Sequence, residues 1–173
     1  ICRRIILSAE RFLAQKTDAV ILAETERYAA LDASVVDVAR IRVINNAMAT
    51  FRYQTYSREE TQRAWGLSPQ NYIVGGVGRL CRQKQWKVLI EAAAEVFLHR
   101  DDVTFLISGE GEERASLERT IRKRHLEGKV RLLGHVSDVS KTYSCLDIFV
   151  STSLWEGLPY AYLEADCFGL PMI

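Results

Sequence analysis

Long apolar runs are missing from this chain: nowhere among its 173 residues do apolar side chains approach the roughly 18 consecutive positions that a membrane-crossing helix needs. The opening Ile1-Cys2-Arg3-Arg4 also lacks the pattern of a signal peptide. Cysteine is sparse. Cys2, Cys81, Cys145 and Cys167 form no C-x-x-C pair and have no histidine at ligand spacing, so reduced thiols in a cytoplasmic setting fit best. An excess of one charge is absent too: a net charge of +1 and a pI near 7.8 give no global field that would recruit nucleic acid. The local basic stretch Arg119, Arg122, Lys123, Arg124, Lys129 and Arg131 reads as a solvated helix face. There is no internal repeat, no low-complexity tract and no Asp-x-Asp element of the metal-binding kind.

What remains is a composition with 48% hydrophobic and 26% charged residues, enough for one full core and part of a second. From Asn71 onward, short apolar runs alternate with helical patterns, which argues for βαβ units and a parallel sheet. Strands are expected at Tyr72 to Val74, Val103 to Ile107, Val130 to Leu133 and Ile148 to Val150. Helices are expected over Lys87 to His99, Glu113 to His125 and Val139 to Ser144, and from Pro159 to a left-handed cap at Gly169, after which a fifth strand starts at Pro171. Upstream, the first seventeen residues and Glu24 to Leu31 read as helices, and Asp18 to Leu22 and Ile41 to Ile44 as strands. Asn45 to Gln70 reads as irregular, and a linker is expected at 49–70 between a first part, 1–48, and a second, 71–173. The chain starts without Met and stops as a strand begins, so it reads as an internal piece of a longer protein.

The most informative run is Glu156-Gly157-Leu158-Pro159-Tyr160-Ala161-Tyr162-Leu163-Glu164, with its two carboxylates eight positions apart. Pro159 suits a first helical turn and Gly157 lets backbone approach a ligand, so amides at the helix start can face an anion. By spacing alone, two solvated glutamates flanking a helix start explain the run as well. A second element is Gly75-Gly76-Val77-Gly78-Arg79-Leu80, followed by Cys81-Arg82-Gln83-Lys84 opening a helix. Glycines at the carboxyl end of a parallel strand leave room for a ligand, and Arg79 and Lys84 add a planar fork and a flexible point charge that suit a diphosphate. Gly76-x-Gly78-x-x-Cys81 only approximates the dinucleotide fingerprint: Cys81 is too large for its third position, and no acidic residue follows about 20 positions on.

The Glu156 to Glu164 run resembles the E-x7-E signature of retaining glycosyltransferases of family 4, the group 1 glycosyl transferases, which use the two-domain GT-B fold. Arg79 and Lys84 match the basic positions of that family's GRL…K element, with Gln85 where the family usually has Gly. Ser108-Gly109-Glu110-Gly111-Glu112-Glu113 resembles its G-x-G-x-E/R loop, and Leu133-Gly134-His135-Val136-Ser137-Asp138 its LGhvsd segment, which edges the nucleobase in relatives. Val43-Ile44-Asn45-Asn46-Ala47-Met48 resembles the VIpNGvd run that closes the N-terminal domain, with Asn46 where Gly is usual. The implied fold is α/β: a Rossmann-like parallel sheet flanked by helices, the C-terminal half of a GT-B fold, truncated at both ends. The implied activity is transfer of a sugar from a nucleotide diphosphate sugar to an acceptor with retention of configuration.

By this resemblance Glu156, Arg79 and Lys84 carry the chemistry, and Gly78, Gly109, Val136, Asp138, Gly157, Leu158 and Glu164 help to bind the donor, Glu164 through ribose hydroxyls. No metal and no cofactor are expected, because Arg79 and Lys84 replace a divalent ion. The expected partners are a nucleotide diphosphate sugar and a glycan or lipid-linked acceptor held by a missing domain, with no nucleic acid. Peripheral contact at the inner face of the cytoplasmic membrane is expected from the Glu-Gly-Leu-Pro-Tyr-Ala form of the motif. With one wall of the cleft present, the chain alone is expected not to transfer sugar. The other readings are an epimerase of the same fold, a non-catalytic sugar-nucleotide module and a Rossmann oxidoreductase. His99, His125 and His135 read as surface or loop histidines, His135 in the base-edge loop, and Trp155 as a packing residue.

Overall fold

A computed structural model describes residues 8–9, 12–14, 16–23, 38–48 and 53–173. Cys2 and the helix expected at Glu24 to Leu31 lie outside them. The chain divides into two compact units, Ile1–Ala47 with Glu156–Tyr160, and Met48–Trp155 with Ala161–Ile173. In the first unit, residues 8–9, 12–14 and 16 are helical, and strands β1 (Val20–Leu22) and β2 (Ile41–Val43) pair in parallel, Val20 opposite Ile41. Asn46 donates from Nδ2 to the Leu158 carbonyl at 2.6 Å, tying Glu156–Tyr160 to the end of this strand pair.

The second unit opens with a helix where the sequence reads as irregular linker: α1, Arg58–Ala64. Its sequence carries no apolar stripe, and the residues it buries are Thr61 and Gln62, so periodicity is silent there. The signal that marks it is Ser57-x-x-Glu60, the Ser57 hydroxyl accepting from the Glu60 N–H at 3.3 Å. A four-stranded parallel sheet follows in the order β5-β4-β3-β6, made of β3 (Tyr72–Val77), β4 (Val103–Ser108), β5 (Val130–Gly134) and β6 (Ile148–Phe149). Helices α2 (Trp86–Val96) and α3 (Arg114–Lys123) connect β3 to β4 and β4 to β5, while α4 (Ser140–Cys145) carries the chain back across to β6. Pro171 to Ile173 forms not a full strand but a single parallel bridge, Met172 opposite Phe149. Helix α5 (Tyr160–Cys167) ends before Gly169, whose φ of 65° is the expected left-handed cap.

Every residue of β4 is buried, as befits a central parallel strand covered on both faces. Phe105 and Ile107 pack with Leu89, Ile90 and Ala93 of α2 and Leu117 of α3, while Leu106 packs with Tyr143, Leu146, Phe149 and Ala165 on the other face. Because β4 and β5 lie on one side of β3 and β6 on the other, strand order reverses beside β3. In open parallel sheets ligands bind at the carboxyl ends of the strands at such a reversal.

Arg58 fastens α1 to the root of the sheet. Its guanidinium grips Asp147 through two hydrogen bonds of 2.7 Å, and Asp147 also accepts from the Ile73 N–H at 2.7 Å. We predict that Asp147→Ala, which leaves a buried N–H and a half-buried cation without their partner, lowers stability by about 3 kcal/mol. Urea unfolding should show this as a lower midpoint at unchanged slope.

Candidate functional site

At the carboxyl ends of β3, β4 and β5 lies a cavity of about 300 Å³. Val77, Gly78 and Arg79 line it from β3, Ser108, Gly109 and Glu110 from β4, and His135, Val136 and Val139 from the loop after β5. The three loops are stitched by backbone: Gly78 N–H to Ser108 O at 2.9 Å, Leu80 N–H to Glu110 O at 2.8 Å and Gly109 N–H to Gly134 O at 2.8 Å. Their approach leaves no room for a side chain at Gly109, where a Cβ would lie 1.9 Å from the Gly78 oxygen and φ is +150°. At Gly78 the space a Cβ would need is taken by Lys84, whose Cε would be 3.0 Å away. Gly78, Arg79, Gly109 and Val136 therefore share one cavity, and Lys84 packs its stem against Gly78.

The segment carrying Lys84 is not the start of the helix that the sequence reading expected. Arg82–Lys84 forms a separate 3-10 turn, Gln85 takes a left-handed φ of 50°, and α2 begins only at Trp86. The left-handed residue at position 85 stands where the family resemblance implies Gly, and Gln adopts that conformation at a cost of roughly 1–2 kcal/mol. A dinucleotide fingerprint needs its glycine turn to run directly into a helix, and this intervening turn breaks that geometry. The turn is also sewn to the loop after β6: Thr152 Oγ1 donates to Lys84 O at 2.8 Å, Leu154 N–H to Gln83 O at 2.9 Å and Gln83 Nε2 to Trp155 O at 2.8 Å. Trp155 itself is 60% exposed, so its ring is not the packing residue expected from the sequence.

Sequence reasoning passed over Trp86, which is 2% exposed and donates from Nε1 to the Arg79 carbonyl at 2.9 Å. Its ring also lies 2.9 Å from where a Cβ on Gly76 would sit, so Gly76 answers to packing rather than to a ligand. Two residues of the Ser108 to Glu113 motif to which the sequence assigns no role also line the cavity: Ser108 bonds Thr142 hydroxyl to hydroxyl at 2.9 Å, and Glu110 accepts from Arg114 at 2.6 Å. The Arg79 guanidinium meets Glu112 at 3.1 Å, with both side chains mainly in solvent, and backbone hydrogen bonding, followed by the Arg79 charge, holds the Glu112 carboxyl below its usual range.

The remaining residues named from the sequence lie elsewhere. Asp138 does not line this cavity: it accepts from the Tyr56 hydroxyl and from the Ser140 N–H at 3.1 Å, and the Tyr56 bond above all keeps its carboxyl below the ordinary range. It borders a neighbouring hollow of about 300 Å³ with Trp65, His135 and Lys141. Glu164 accepts from two tyrosine hydroxyls, Tyr143 and Tyr53. Glu156, Gly157 and Leu158 belong to the first unit, Glu156 partly buried and Gly157 exposed. Cys81, Cys145 and Cys167 are free thiols, and burial pushes that of Cys145 up to about 12. Among the described residues no cluster of three or more His, Cys, Asp or Glu could hold a metal ion, and no helix is long and apolar enough to cross a membrane. A larger groove of about 620 Å³ flanks α2, but apart from Arg100 its lining is apolar or aromatic, with Val74, Leu89, Val96, Phe105 and Ile148 among it, and offers little to bind an anion.

A parallel α/β sheet with a cavity at the carboxyl ends of its strands defines a class, that of Rossmann-like domains. Within it this chain belongs to the glycosyl transferases group 1 family, whose model matches residues 57–173. It is 33% identical over 143 residues to the UDP-Gal:alpha-D-GlcNAc-diphosphoundecaprenol alpha-1,3-galactosyltransferase of Escherichia coli, covering 80% of this chain and 37% of that protein. It is 27% identical over 169 residues to the lipopolysaccharide core biosynthesis mannosyltransferase LpsB of Rhizobium meliloti, covering 94% of this chain and 46% of that one. Among solved structures, Anabaena HepE in complex with UDP and glucose superposes with a TM-score of 0.86 at 24% identity, over 96% of this chain and 47% of that one. The GT-B likeness in fold is thus shown, and the chain spans less than half the length of these relatives.

We predict that Gly109→Ala destabilises the chain well beyond the roughly 1 kcal/mol expected of Gly128→Ala. Gly128 also has a positive φ, 79°, but nothing within 4 Å of an added Cβ. Equal losses in thermal unfolding would show that backbone contact between the β3 and β4 loops is not the constraint at Gly109.

Proposed function

We propose that this chain is the donor-binding part of a retaining glycosyltransferase of family 4, moving a sugar from a nucleotide diphosphate sugar to a glycan or lipid-linked acceptor. The observation that carries this reading is the cavity in which Gly78, Arg79, Gly109 and Val136 meet, with Lys84 against Gly78. Those residues come from three loops of unrelated sequence, and each stands at a position that resembles a family 4 donor motif. The UDP named with the Anabaena structure and the nucleotide sugar named in the E. coli relative lend it further support.

In this reading the nucleobase lies along the loop of His135 and Val136, and the diphosphate meets Arg79 and Lys84. As the bond from the sugar to the diphosphate breaks, negative charge grows on the departing oxygen, and the two cations stabilise it. They take the part a divalent ion has elsewhere, so no metal or other cofactor is required. An incoming diphosphate must draw Arg79 away from Glu112, a solvent-exposed pair and therefore a weak competitor. Glu156 hydrogen-bonds hydroxyls of the transferred sugar, amides near Gly157 and Leu158 meet phosphate or sugar, and Glu164 holds the ribose. Residues 1–48 then belong to the acceptor domain, the rest of which lies outside this chain, and the whole protein works at the inner face of the cytoplasmic membrane.

Arg79→Ala and Lys84→Ala in the full-length protein should each weaken nucleoside diphosphate binding at least about tenfold, the loss expected for one charge-assisted contact to phosphate. Titration calorimetry against UDP, GDP, ADP and NAD measures this. Unchanged affinity in both variants would sink the diphosphate assignment, tight NAD binding would favour an oxidoreductase, and turnover of the nucleotide sugar without acceptor would favour an epimerase.

The two glutamates should fail differently. Glu164→Gln should weaken donor and bare nucleotide alike, whereas Glu156→Gln should lower kcat and leave the bare nucleotide's Kd nearly intact. Equal loss of nucleotide affinity in both variants would refute this division of labour.

A further inference from the structure

Both oxygens of the Glu164 carboxylate are engaged. The Tyr143 hydroxyl donates to Oε2 at 2.6 Å and the Tyr53 hydroxyl to Oε1 at 3.0 Å. Neither tyrosine is near Glu164 in sequence, lying 21 and 111 positions away. Each is held by the same ring: Tyr143 stacks on Phe168 with centroids 5.5 Å apart, and Tyr53 meets Phe168 edge-on at 5.9 Å. Phe168 in turn follows Glu164 by one helical turn, its N–H donating to the Glu164 carbonyl at 3.3 Å. Tyr143 is 1% exposed and also packs against Phe149, so its hydroxyl has little freedom. Burial, and next the bond to Glu164, push that hydroxyl far above its ordinary value, which keeps it a donor.

An ionised carboxylate offers about four lone-pair positions, two on each oxygen. One tyrosine on each oxygen uses half of them and leaves one acceptor position on each. That is the complement of a vicinal diol, whose two adjacent hydroxyls donate one to each oxygen. A freely rotating carboxylate would have to be immobilised on binding, whereas this one is already set.

We propose that Tyr143 and Tyr53 are positioning residues that hold the Glu164 carboxylate ready to accept both hydroxyls of a vicinal diol, the ribose of the donor nucleotide. The proposal rests on the donor-binding reading of Glu164 above and adds the two side chains through which that carboxylate acts. It also names what they discriminate: ribonucleotides from nucleotides lacking the 2′ and 3′ hydroxyls. Tyrosine to phenylalanine keeps the rings that pack on Phe168 and Phe149 and removes only the donors.

The test compares, in the full-length protein, the Kd of a nucleoside diphosphate with that of its 2′,3′-dideoxy analogue. The base is whichever of UDP, GDP and ADP the wild type binds most tightly. The wild type should prefer the ribonucleotide at least about tenfold, as two hydrogen bonds to a charged group imply. Glu164→Gln should cut that preference to within about threefold, and Tyr143→Phe with Tyr53→Phe together should do the same, the single variants falling between. If the tyrosine variants lower the melting temperature and weaken both ligands equally, so that the preference stands, the tyrosines are only structural and the proposal is overturned while the reading of Glu164 survives. If the wild type shows no preference, or Glu164→Gln leaves it unchanged, the ribose role of Glu164 falls and the proposal falls with it.

Discussion

The backbone of the loop after β4 passes against the backbone of the loop after β3 at Gly109 and Gly78, with no side chain between them. Everything that makes the cavity depends on that approach. The N–H groups of Gly78 and Leu80 can then bond Ser108 and Glu110, and the N–H of Gly109 reaches on to Gly134, so three strand ends become one rim. Trp86 fixes the rim from behind by holding the Arg79 carbonyl, and the stem of Lys84 fills the space that a side chain at Gly78 would occupy. The backbone that carries both cations of the proposed chemistry is thus set by these contacts, while the Arg79 guanidinium itself reaches into solvent beside Glu112.

The rim stands at the carboxyl ends of β3, β4 and β5, three adjacent strands of the parallel sheet, while β6 flanks β3 on its other side. Hydrogen bonds from Thr152, Leu154 and Gln83 join the loops after β3 and β6, so the turn bearing Lys84 and residues 152–155 share one support. The lining thus comes from elements the sheet already holds in register, and the loops between them can vary without loss of the frame.

Polar anchoring reaches the same end at two further points. Arg58 and Asp147 tie α1 to the root of β3, and the Tyr56 hydroxyl ties the segment before α1 to Asp138 at the start of α4. At Glu164 two tyrosines do for a carboxylate what Trp86 does for a carbonyl. At Trp86 and at Glu164 a group that would otherwise bind water is held by a neighbour whose own ring is packed, which reduces the reorganisation left on binding.

The strands and the two helices between β3 and β5 are legible in the sequence, because a largely apolar run such as Val103 to Ile107 and an amphipathic face that includes Leu89 and Ala93 announce burial directly. The motifs also draw attention to Gly78, Arg79 and Gly109, which the fold brings to one cavity. Helix α1 is not legible, because its buried face is Thr61 and Gln62 and only a capping pattern marks it. Nor could sequence separate glycines that line the cavity from Gly76, which makes room for Trp86, or show that Asp138 accepts from the Ser140 N–H outside the cavity lining. Local pattern reports what each residue prefers and how often a face repeats. Which residues share a carboxylate or a backbone oxygen across tens of positions depends on how the chain closes on itself, and only the folded chain brings Tyr53 and Tyr143 to Glu164.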